Sequence, residues 1–339
     1  MKAAVMEEWG RISLKETEKP KPAGDEALIK VHYAGICGTD IHIFAHEHPT
    51  AKIPLILGHE FSGEIAEVGN NTKGLKQGQK VVVQPYRGCN YCEACLDGRD
   101  NICSKLSVFG VHENGCFAEY IKVPIKKVHP IPDDAETRLY ALSEPLAVAV
   151  HDVRRSGLQV GQKALILGGG PIGILIGLTA RLAGAGDVVI SEVNPYRKDF
   201  ISNLGLTATD PREEDFFPQL MKITHGKGFD VVYEAAGVES SVAMMTKAVK
   251  IGGTVVTIGM PGKMLPFNVM ECVMKELDIR GVRIHAQNNF AAAVDIIASG
   301  VMNESLEKII THEFPMERIE EAFTFSLKDT KHMKVIIKI

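Results

Sequence analysis

The chain has 339 residues, of which 45% are hydrophobic and 24% are charged, and its 38 basic and 42 acidic side chains give a net charge of −4. At roughly 150 residues per domain, this length predicts about two domains, each with a core of its own. The near balance of charge argues against intrinsic disorder and against a surface that binds nucleic acid.

The sequence shows no signal for a membrane. The longest uncharged run, between Lys163 and Arg181, is interrupted by Pro171 and several glycines and is shorter than the ~20 apolar residues of a membrane span. The first ten residues, MKAAVMEEWG, reach two glutamates before any apolar stretch as long as that of a secretory signal. We therefore expect a cytoplasmic protein without a membrane partner.

The first 120 residues predict an irregular, mainly β domain. Segments with β-branched residues and partial alternation of apolar and polar side chains predict short strands at 27–35, 61–69 and 80–86. Turn-forming residues separate these segments.

From about Ala147 the pattern changes to short apolar runs separated by segments long enough for crossover helices. These runs are KALILGGG, DVVISEV, FDVVYEAAG and GGTVVTIG, and their alternation with helices predicts a doubly wound parallel α/β sheet. Beyond about Ile284, FAAAVDIIASGVM and MERIEEAFTFSL have helical spacing and VIIKI resembles a strand. We assign this tail to the first domain, which gives domains at 1–146, 147–284 and, returning to the first, 285–339.

A glycine-rich turn follows the first apolar run of the second domain. Gly168, Gly170 and Gly173 have G-x-G-x-x-G spacing between a predicted strand and a predicted helix. In this order the glycines permit a tight turn, close approach of a pyrophosphate and close helix packing, with the phosphates at the helix N-terminus. The segment, which includes Pro171 and Ile172, predicts a dinucleotide site.

An acidic residue closes the next predicted strand and indicates which dinucleotide is bound. Glu192 lies 19 residues after Gly173, where a carboxylate accepts hydrogen bonds from ribose hydroxyls. Since this carboxylate would repel a 2′-phosphate, we expect NAD rather than NADP. Arg197 leaves an alternative, because it could stack on the adenine or bind a phosphate.

Four of the seven cysteines fall within fifteen residues, as Cys89, Cys92, Cys95 and Cys103. Four thiolates can form a closed tetrahedral shell around one Zn²⁺, which makes a structural site. Bacterial ferredoxins share the C-x2-C-x2-C spacing, but their fourth cysteine follows three residues later, whereas the gap here is seven. We therefore predict a structural zinc in a lobe at about 86–105.

A second set of ligands is more dispersed: Cys37 in GICGTDIH, His59 and Glu60 in LGHEFSGE, and Glu144 in LSEPLA. A catalytic zinc needs about three protein ligands and one open position, and a set of cysteine, histidine and carboxylate suits that need. Each residue alone is also typical of an ordinary core or surface position, so the prediction depends on their combination.

These motifs and their order resemble the zinc-dependent medium-chain dehydrogenases over essentially the whole chain. Glu144 favours the branch of polyol and sugar-acid dehydrogenases, which includes sorbitol dehydrogenase and L-galactonate 5-dehydrogenase, because the alcohol dehydrogenases have cysteine at that place. The resemblance implies a GroES-like catalytic domain, a Rossmann-type NAD domain, two zinc ions per chain and assembly as a homodimer or homotetramer.

Carried over residue by residue, the resemblance implies that Cys37 and His59 bind the catalytic zinc. Glu60 and Glu144 then share the remaining contact, and which of them is the direct ligand stays open. Thr39 matches the hydroxyl that passes on the substrate proton, and His42 matches the histidine that receives it.

The resemblance also assigns the nicotinamide half of the cofactor to Ile258, Gly259, Met260 and Arg283. The segment FGVHENG (109–115) is similar to a loop of the sugar-acid enzymes. We hypothesise that His112 and Arg283 bind hydroxyls or the carboxylate of a hexonate, the alternative being that His112 only caps a turn.

The expected activity is therefore transfer of a hydride from a secondary alcohol of a polyol or sugar acid to NAD⁺. An L-threonine 3-dehydrogenase or a short-chain alcohol or diol dehydrogenase is the alternative enzyme. A zinc-stabilised NAD-binding sensor without turnover is the alternative outside catalysis, since membership of a superfamily does not guarantee chemistry.

Overall fold

The structure, a computed structural model, describes residues 1–70 and 73–339. These residues form two compact units, one of Met1–Ala147 with Ala286–Ile339 and the other of Val148–His285. Both divisions lie one residue from the limits predicted at 146/147 and 284/285, and the tail belongs to the first unit.

The strands of both units are numbered here in chain order: β1 (Lys2–Glu8), β2 (Arg11–Glu16), β3 (Glu26–Gly35), β4 (Leu55–Ile56), β5 (Glu60–Val68), β6 (Lys80–Val83), β7 (Tyr86–Arg87), β8 (Ser107–Val108), β9 (Tyr120–Pro124), β10 (Val128–Pro130), β11 (Ala164–Leu167), β12 (Val188–Ser191), β13 (Thr207–Thr209), β14 (Phe229–Glu234), β15 (Val249–Thr257), β16 (Asp278–Gly281), β17 (Ile310–Pro315) and β18 (Lys334–Lys338). The helices follow the same rule: α1 (Gly38–Phe44), α2 (Glu93–Leu96), α3 (Thr137–Tyr140), α4 (Ser143–Ser156), α5 (Pro171–Leu182), α6 (Pro195–Asn203), α7 (Phe216–Ile223), α8 (Glu239–Ala248), α9 (Val269–Lys275), α10 (Gln287–Ser299), α11 (Asn303–Ile309) and α12 (Ile319–Lys328). Short 3₁₀ turns occur at Asp100–Ile102, Ile125–Lys127 and Met316–Arg318.

The first unit is organised around β3. Its main sheet has the order β10-β6-β5-β3-β18-β17, with β9 paired to the first half of β3, and a smaller sheet has the order β2-β1-β4. Because β18 pairs with the second half of β3, the returning tail completes this sheet. At the end of β3, Gly35 pairs with Glu60 on one side and with Ile336 on the other.

The second unit is a six-stranded, entirely parallel sheet with the order β13-β12-β11-β14-β15-β16. Helices α5 to α9 connect successive strands. The chain leaves β11 toward one side and later returns to its other side at β14, so the switch point of the sheet lies at β11, where open α/β sheets bind ligands. This order confirms the predicted doubly wound sheet of Rossmann type.

One strand prediction in the first unit was wrong, and one pair of strands was not predicted. The segment 80–86 does not form one strand but divides into β6 and β7, because Pro85 between them has no backbone N–H to donate to a ladder. The hairpin of β1 and β2 was not predicted, because the buried residues of β1, Ala3, Ala4 and Met6, do not alternate strictly with exposed ones.

The helices of the tail differ slightly from the predicted segments. Helix α10 begins before Phe290, at Gln287, and ends before Gly300, whose φ of 76° is the left-handed conformation that favours glycine after a helix. Helix α12 begins at Ile319, after a 3₁₀ turn. Within the described ranges, none of the helices has both the length and the apolar character needed to cross a bilayer.

Candidate metal centres and cofactor site

Three predicted ligands meet at the end of β3 and the start of β5. Cys37 lies at the N-cap of α1, and His59 and Glu60 stand at the entry to β5. One ligand atom from each of the three lies within 4.8 Å of the others. A thiolate, an imidazole and a carboxylate at this spacing form a set that can bind Zn²⁺.

Asp40 lies beside the histidine of this set. It is fully buried, its Oδ2 accepts the Cys37 N–H at 2.8 Å and its Oδ1 accepts the Gly58 N–H at 3.1 Å. His59 Nδ1 lies 3.6 Å from Asp40 Oδ1, which leaves Nε2 to bind a metal. Burial disfavours the charged imidazole, but the charges of Asp40 and Cys37 outweigh burial and hold the pKa of His59 well above its usual value.

Glu60 is bound on its other side by Lys334 of β18. Lys334 Nζ donates to Glu60 Oε1 at 2.6 Å and also contacts Oε2, and both side chains are buried. A Cβ at position 35 would lie 2.2 Å from Glu60 Oε2, so Gly35 makes room for this ion pair. Burial opposes the lysine charge, but the carboxylate of Glu60 raises the pKa of Lys334, which stays a cation.

Glu144 stands in the first turn of α4 and is 7% exposed. It does not belong to the group of ligand atoms within 4.8 Å, as searched over the described residues. Its charge acts on the pKa values of Glu60 and Lys334, so it lies near the three ligands without joining them. In this arrangement Glu60 is the carboxylate in ligand position.

Thr39 and His42 both lie on α1, three residues apart, which places them on one face of the helix. The side chain of His42 is 63% exposed, and its Nδ1 lies 2.9 Å from Glu47 Oε2. A proton that reaches His42 can therefore pass to water.

The other four ligands form a cluster of the size that zinc requires. Cys89 Sγ and Cys95 Sγ are 4.0 Å apart, and Cys92 Sγ and Cys103 Sγ are 3.7 Å apart. A ZnS₄ tetrahedron with Zn–S bonds of ~2.3 Å has edges of roughly 3.8 Å. Backbone N–H groups, first that of Tyr91, lower the pKa of Cys89 to about 6, which favours the thiolate that binds metal.

A buried lysine connects this cysteine lobe to the rest of the first unit by hydrogen bonds. Lys127 Nζ donates to Gln84 Oε1 at 2.7 Å and to Asp100 Oδ2 at 2.6 Å, and it lies 4.1 Å from the centre of the Tyr86 ring. Asp100 belongs to the lobe, whereas Gln84 follows β6. The lobe is therefore held by polar contacts at its base as well as by its cysteines.

The glycine-rich turn of the second unit has the geometry of a phosphate site. Gly168 has a φ of 111°, and a Cβ at Gly173 would lie 1.9 Å from the Gly168 oxygen. Gly170 is the N-cap of α5, Pro171 is its first residue and Ile172 its second. Free N–H groups and the positive end of the helix dipole at this position favour bound phosphate.

Glu192 lies directly beside this turn at the end of β12. Its Oε2 accepts the Gly169 N–H at 2.9 Å, and its Oε1 accepts the N–H groups of Val193 and Asn194 at 2.8 Å each. These donors fix a buried negative charge where an adenosine ribose would bind. Arg197 approaches the same turn, because its Nη1 lies 4.0 Å from the place of a Cβ at Gly170.

The residues assigned to the nicotinamide half follow β15 and β16. The N–H groups of Ile258 and Gly259 both donate to the backbone carbonyl oxygen of Glu234. Met260 is 87% exposed. A cavity of 510 Å³ at the ends of β14 and β15 is lined in part by Glu234, Thr257 and Gly259. Arg283 is exposed and lies two residues after β16.

Two family models match the chain, the alcohol dehydrogenase GroES-like domain at residues 23–133 and the zinc-binding dehydrogenase model at residues 171–299. The L-galactonate-5-dehydrogenase of Escherichia coli is 36% identical over 95% of this chain and 94% of its own length. This chain belongs to the zinc-binding dehydrogenases. The predicted recognition of that family, with its GroES-like and Rossmann-type domains, is confirmed.

Other zinc-binding dehydrogenases match over similar lengths. The sorbitol dehydrogenase of Bacillus subtilis is 33% identical over 97% of this chain and 94% of its own. An L-threonine 3-dehydrogenase of Idiomarina loihiensis is 33% identical over 92% of both chains. A crystal structure of a zinc-binding dehydrogenase of Sinorhizobium meliloti bound to NADP superposes with a TM-score of 0.92 at 33% identity, covering 100% and 99% of the two chains. Polyol, sugar-acid and amino-acid dehydrogenases are therefore all among the relatives.

Sequence reasoning missed two residues of this zinc-binding dehydrogenase. Asp40 lies three residues after Cys37, the spacing at which an acidic side chain closes a helix N-terminus, and that signal was available. Lys334 gave no signal, because nothing in KVIIKI distinguishes a buried lysine that pairs with Glu60 from a surface lysine.

Proposed function

We propose that the protein is a zinc-dependent dehydrogenase that oxidises a secondary alcohol of a polyol or sugar acid with NAD⁺. The observation that carries the proposal is the meeting of Cys37, His59 and Glu60 within ligand distance. The set contains three protein ligands, which suits a catalytic zinc with one open position. A Zn²⁺ bound there would lower the pKa of a hydroxyl group on its open position.

The chain's own residues would then manage the proton and the charges. Asp40, 3.6 Å from Nδ1 of His59, would accept its N–H and orient the ring, and Lys334 balances the charge of Glu60. Thr39 accepts the substrate proton at its hydroxyl oxygen while it donates its own proton toward His42, which releases it to water. The exposure of His42 and its contact with Glu47 support this direction of transfer.

The second unit supplies the site for the hydride acceptor. NAD⁺ accepts hydride at its nicotinamide ring. The turn at Gly168–Gly173 would bind the pyrophosphate, and Glu192 would accept hydrogen bonds from the ribose hydroxyls. The fixed charge of Glu192 favours NAD over NADP, although the relative from Sinorhizobium meliloti holds NADP and Arg197 stands near the turn.

We also propose that two copies of the chain associate through the second unit. Strand β16 forms the edge of the parallel sheet, and the neighbouring α9 exposes Met270 and Met274 by 75% and 76%. An unpaired edge beside exposed apolar side chains is a typical association surface. A monomeric mass in size-exclusion chromatography with light scattering would contradict association.

We place the protein in a reducing compartment such as the cytoplasm, since all seven cysteines are unpaired.

The experiment that tests the function is a screen of NAD⁺ reduction by the zinc-loaded protein. Hexitols, hexonates, short diols and L-threonine are offered at equal concentration, and we expect turnover of a hexitol or hexonate. Turnover of L-threonine alone would favour the alternative represented by the threonine dehydrogenases. Absence of turnover together with one zinc per chain instead of two would favour a sensor.

A further inference from the structure

A short segment after α1, the helix whose N-cap is the ligand Cys37, carries His48. His48 Nδ1 accepts the backbone N–H groups of Thr50 at 3.4 Å and Ala51 at 3.3 Å. Because Nδ1 is an acceptor, the proton of the neutral ring is on Nε2. His48 therefore presents a donor on its far side.

His112 has the same arrangement in the loop that follows β8. Its Nδ1 accepts the Val108 N–H at 3.1 Å, so this histidine does cap a turn, as one of the two sequence hypotheses proposed. Its Nε2–H donates to Thr50 Oγ1 at 3.2 Å. The hydroxyl of Thr50 receives this bond and can donate its own proton to a ligand, in a chain whose hydrogen bonds polarise one another.

The surroundings of His48 favour its neutral ring. Burial lowers the pKa of His48, and three neighbouring imidazoles lower it further: His112, His42 and His59. The loop that contains His112 lies near the ligand set, because the Cys116 N–H donates to the backbone oxygen of Gly58, the residue before His59, at 3.0 Å. The acidic residue of the segment, Glu47, is engaged by His42 at 2.9 Å.

We propose that His48 and Thr50, with His112 behind Thr50, form a subsite that binds the carboxylate of a sugar-acid substrate. The subsite offers an N–H and an O–H donor, while the Nδ1 atoms of His48 and His112 already receive backbone hydrogen bonds. A carboxylate is an acceptor-only group and matches such donors, whereas a terminal CH₂OH also brings a donor that needs an acceptor. The inference rests on the proposed function and narrows its substrate class from polyols and sugar acids to hexonates.

The test compares substrates that differ only at this carboxylate. L-Galactonate with galactitol, and D-gluconate with D-glucitol, are pairs in which COO⁻ replaces CH₂OH. For the zinc-loaded enzyme with NAD⁺ we measure kcat/KM on each member for the wild type, Thr50→Val, Thr50→Ser and His48→Asn. An Asn at position 48 can still accept the backbone N–H two residues on, as in an Asx turn, but lacks the distal donor.

We expect the wild type to prefer the hexonate of a pair. Thr50→Val and His48→Asn should each lower kcat/KM for the hexonate by about 10- to 100-fold, because each removes a hydrogen bond to a charged group. The hexitol should change less than about threefold, and Thr50→Ser should restore the hexonate value. His225→Asn, an exposed histidine of the second unit, is the matched control and should change neither substrate.

Binding can be measured without turnover because the chain has one tryptophan. The ring of Trp9 stacks on His46 at 4.1 Å, two residues before His48, so its fluorescence reports on this segment. Titration with L-galactonate should give a saturable change whose midpoint rises about 10-fold or more in Thr50→Val.

The possible failures are distinguishable. If the wild type oxidises hexitols and the variants affect both members of a pair equally, or neither, the carboxylate subsite is wrong and the dehydrogenase remains. If no hexitol or hexonate is oxidised, the proposed function fails, and the fluorescence titration decides the subsite by itself. Equal binding of L-galactonate by the wild type and Thr50→Val would then overturn it.

Discussion

Lys334 Nζ lies 2.6 Å from Glu60 Oε1, and the two side chains are separated by 274 residues in sequence. Lys334→Met would leave a buried carboxylate without its cation, which should lower the free energy of unfolding by about 3–5 kcal/mol. Urea denaturation measures this. The loss should be smaller in the zinc-loaded than in the zinc-free protein, since the metal would supply a replacement cation. The double variant Lys334→Met, Glu60→Gln should recover most of the lost stability. A double variant that is no more stable than Lys334→Met alone would contradict the pairing.

Loss of one cysteine from the lobe should remove one metal ion. Cys103→Ser opens the four-thiolate shell, and we expect zinc content by mass spectrometry to fall from two ions per chain to one. Proteolysis within residues 88–106 should become faster. Cys272→Ser, which lies outside both ligand sets, is the matched control and should keep both ions. Retention of two zinc ions by Cys103→Ser would contradict a site that needs all four thiolates.

Glu192→Ser should change the choice of cofactor. The variant removes the charge that repels a 2′-phosphate and leaves Arg197 beside the turn, so kcat/KM for NADP⁺ should rise by at least about tenfold. Loss of the ribose hydrogen bonds should lower kcat/KM for NAD⁺ by about 10- to 100-fold. Glu213→Ser removes a nearby exposed carboxylate and should alter neither value. An unchanged cofactor ratio in Glu192→Ser would place the ribose elsewhere.

His42→Gln should slow the reaction in a way that depends on pH. If His42 passes the proton to water, its loss should lower kcat by about tenfold at pH 7, less than the 10²–10⁴ typical of a direct acid–base group. The deficit should shrink as pH rises, since hydroxide then removes the proton. Steady-state kcat between pH 6 and 10 measures it. A deficit of constant size over this range would mean that His42 only supports the structure.

Asp152 should make the second unit less stable as pH rises. Its side chain is fully buried in α4, and neither carboxylate oxygen has a hydrogen-bond partner within the described residues. Burial raises its pKa well above 3.8, so the folded protein keeps a proton that the unfolded chain releases. Stability is therefore lost as pH rises through the interval between the unfolded and folded pKa values, by up to about 1.4 kcal/mol per unit.

The variant Asp152→Ala removes this effect. Its thermal midpoint should exceed that of the wild type by more at pH 8 than at pH 5. Asp295→Ala, at an exposed position of α10, makes the same change of helix propensity without a buried charge and should show no pH-dependent difference. Parallel melting curves of Asp152→Ala and the wild type across this range would contradict the argument.

The parts of the molecule that the sequence predicts well are those set by local pattern. The second unit follows from apolar runs that alternate with helices, and the turn at Gly168–Gly173 follows from backbone sterics that only glycine satisfies. The four-cysteine lobe likewise depends on spacing within one short segment. The prediction of one strand over 80–86 was wrong at Pro85. Proline is a local signal for a break, but the β-branched run before it was given more weight.

Contacts between distant segments could not be read in this way. Asp40 carried a local signal, but its contact with His59 depends on how β3 and β5 pair. The donors at His48 and Thr50 arise from backbone hydrogen bonds that fix a histidine tautomer, and no residue pattern records a tautomer. The role of Lys334 depends on the antiparallel register of β18 against β3.

The placement of β18 has a consequence for synthesis on the ribosome. The strands β3 and β5 can pair as soon as they emerge, but the cation for Glu60 is translated more than 270 residues later. Until then a nascent chain that folds this sheet must keep Glu60 hydrated or protonated, or give it to a metal ion. Zinc bound during translation would therefore stabilise the incomplete sheet by pairing with Glu60. Zinc starvation should increase the amount of newly synthesised chain that aggregates.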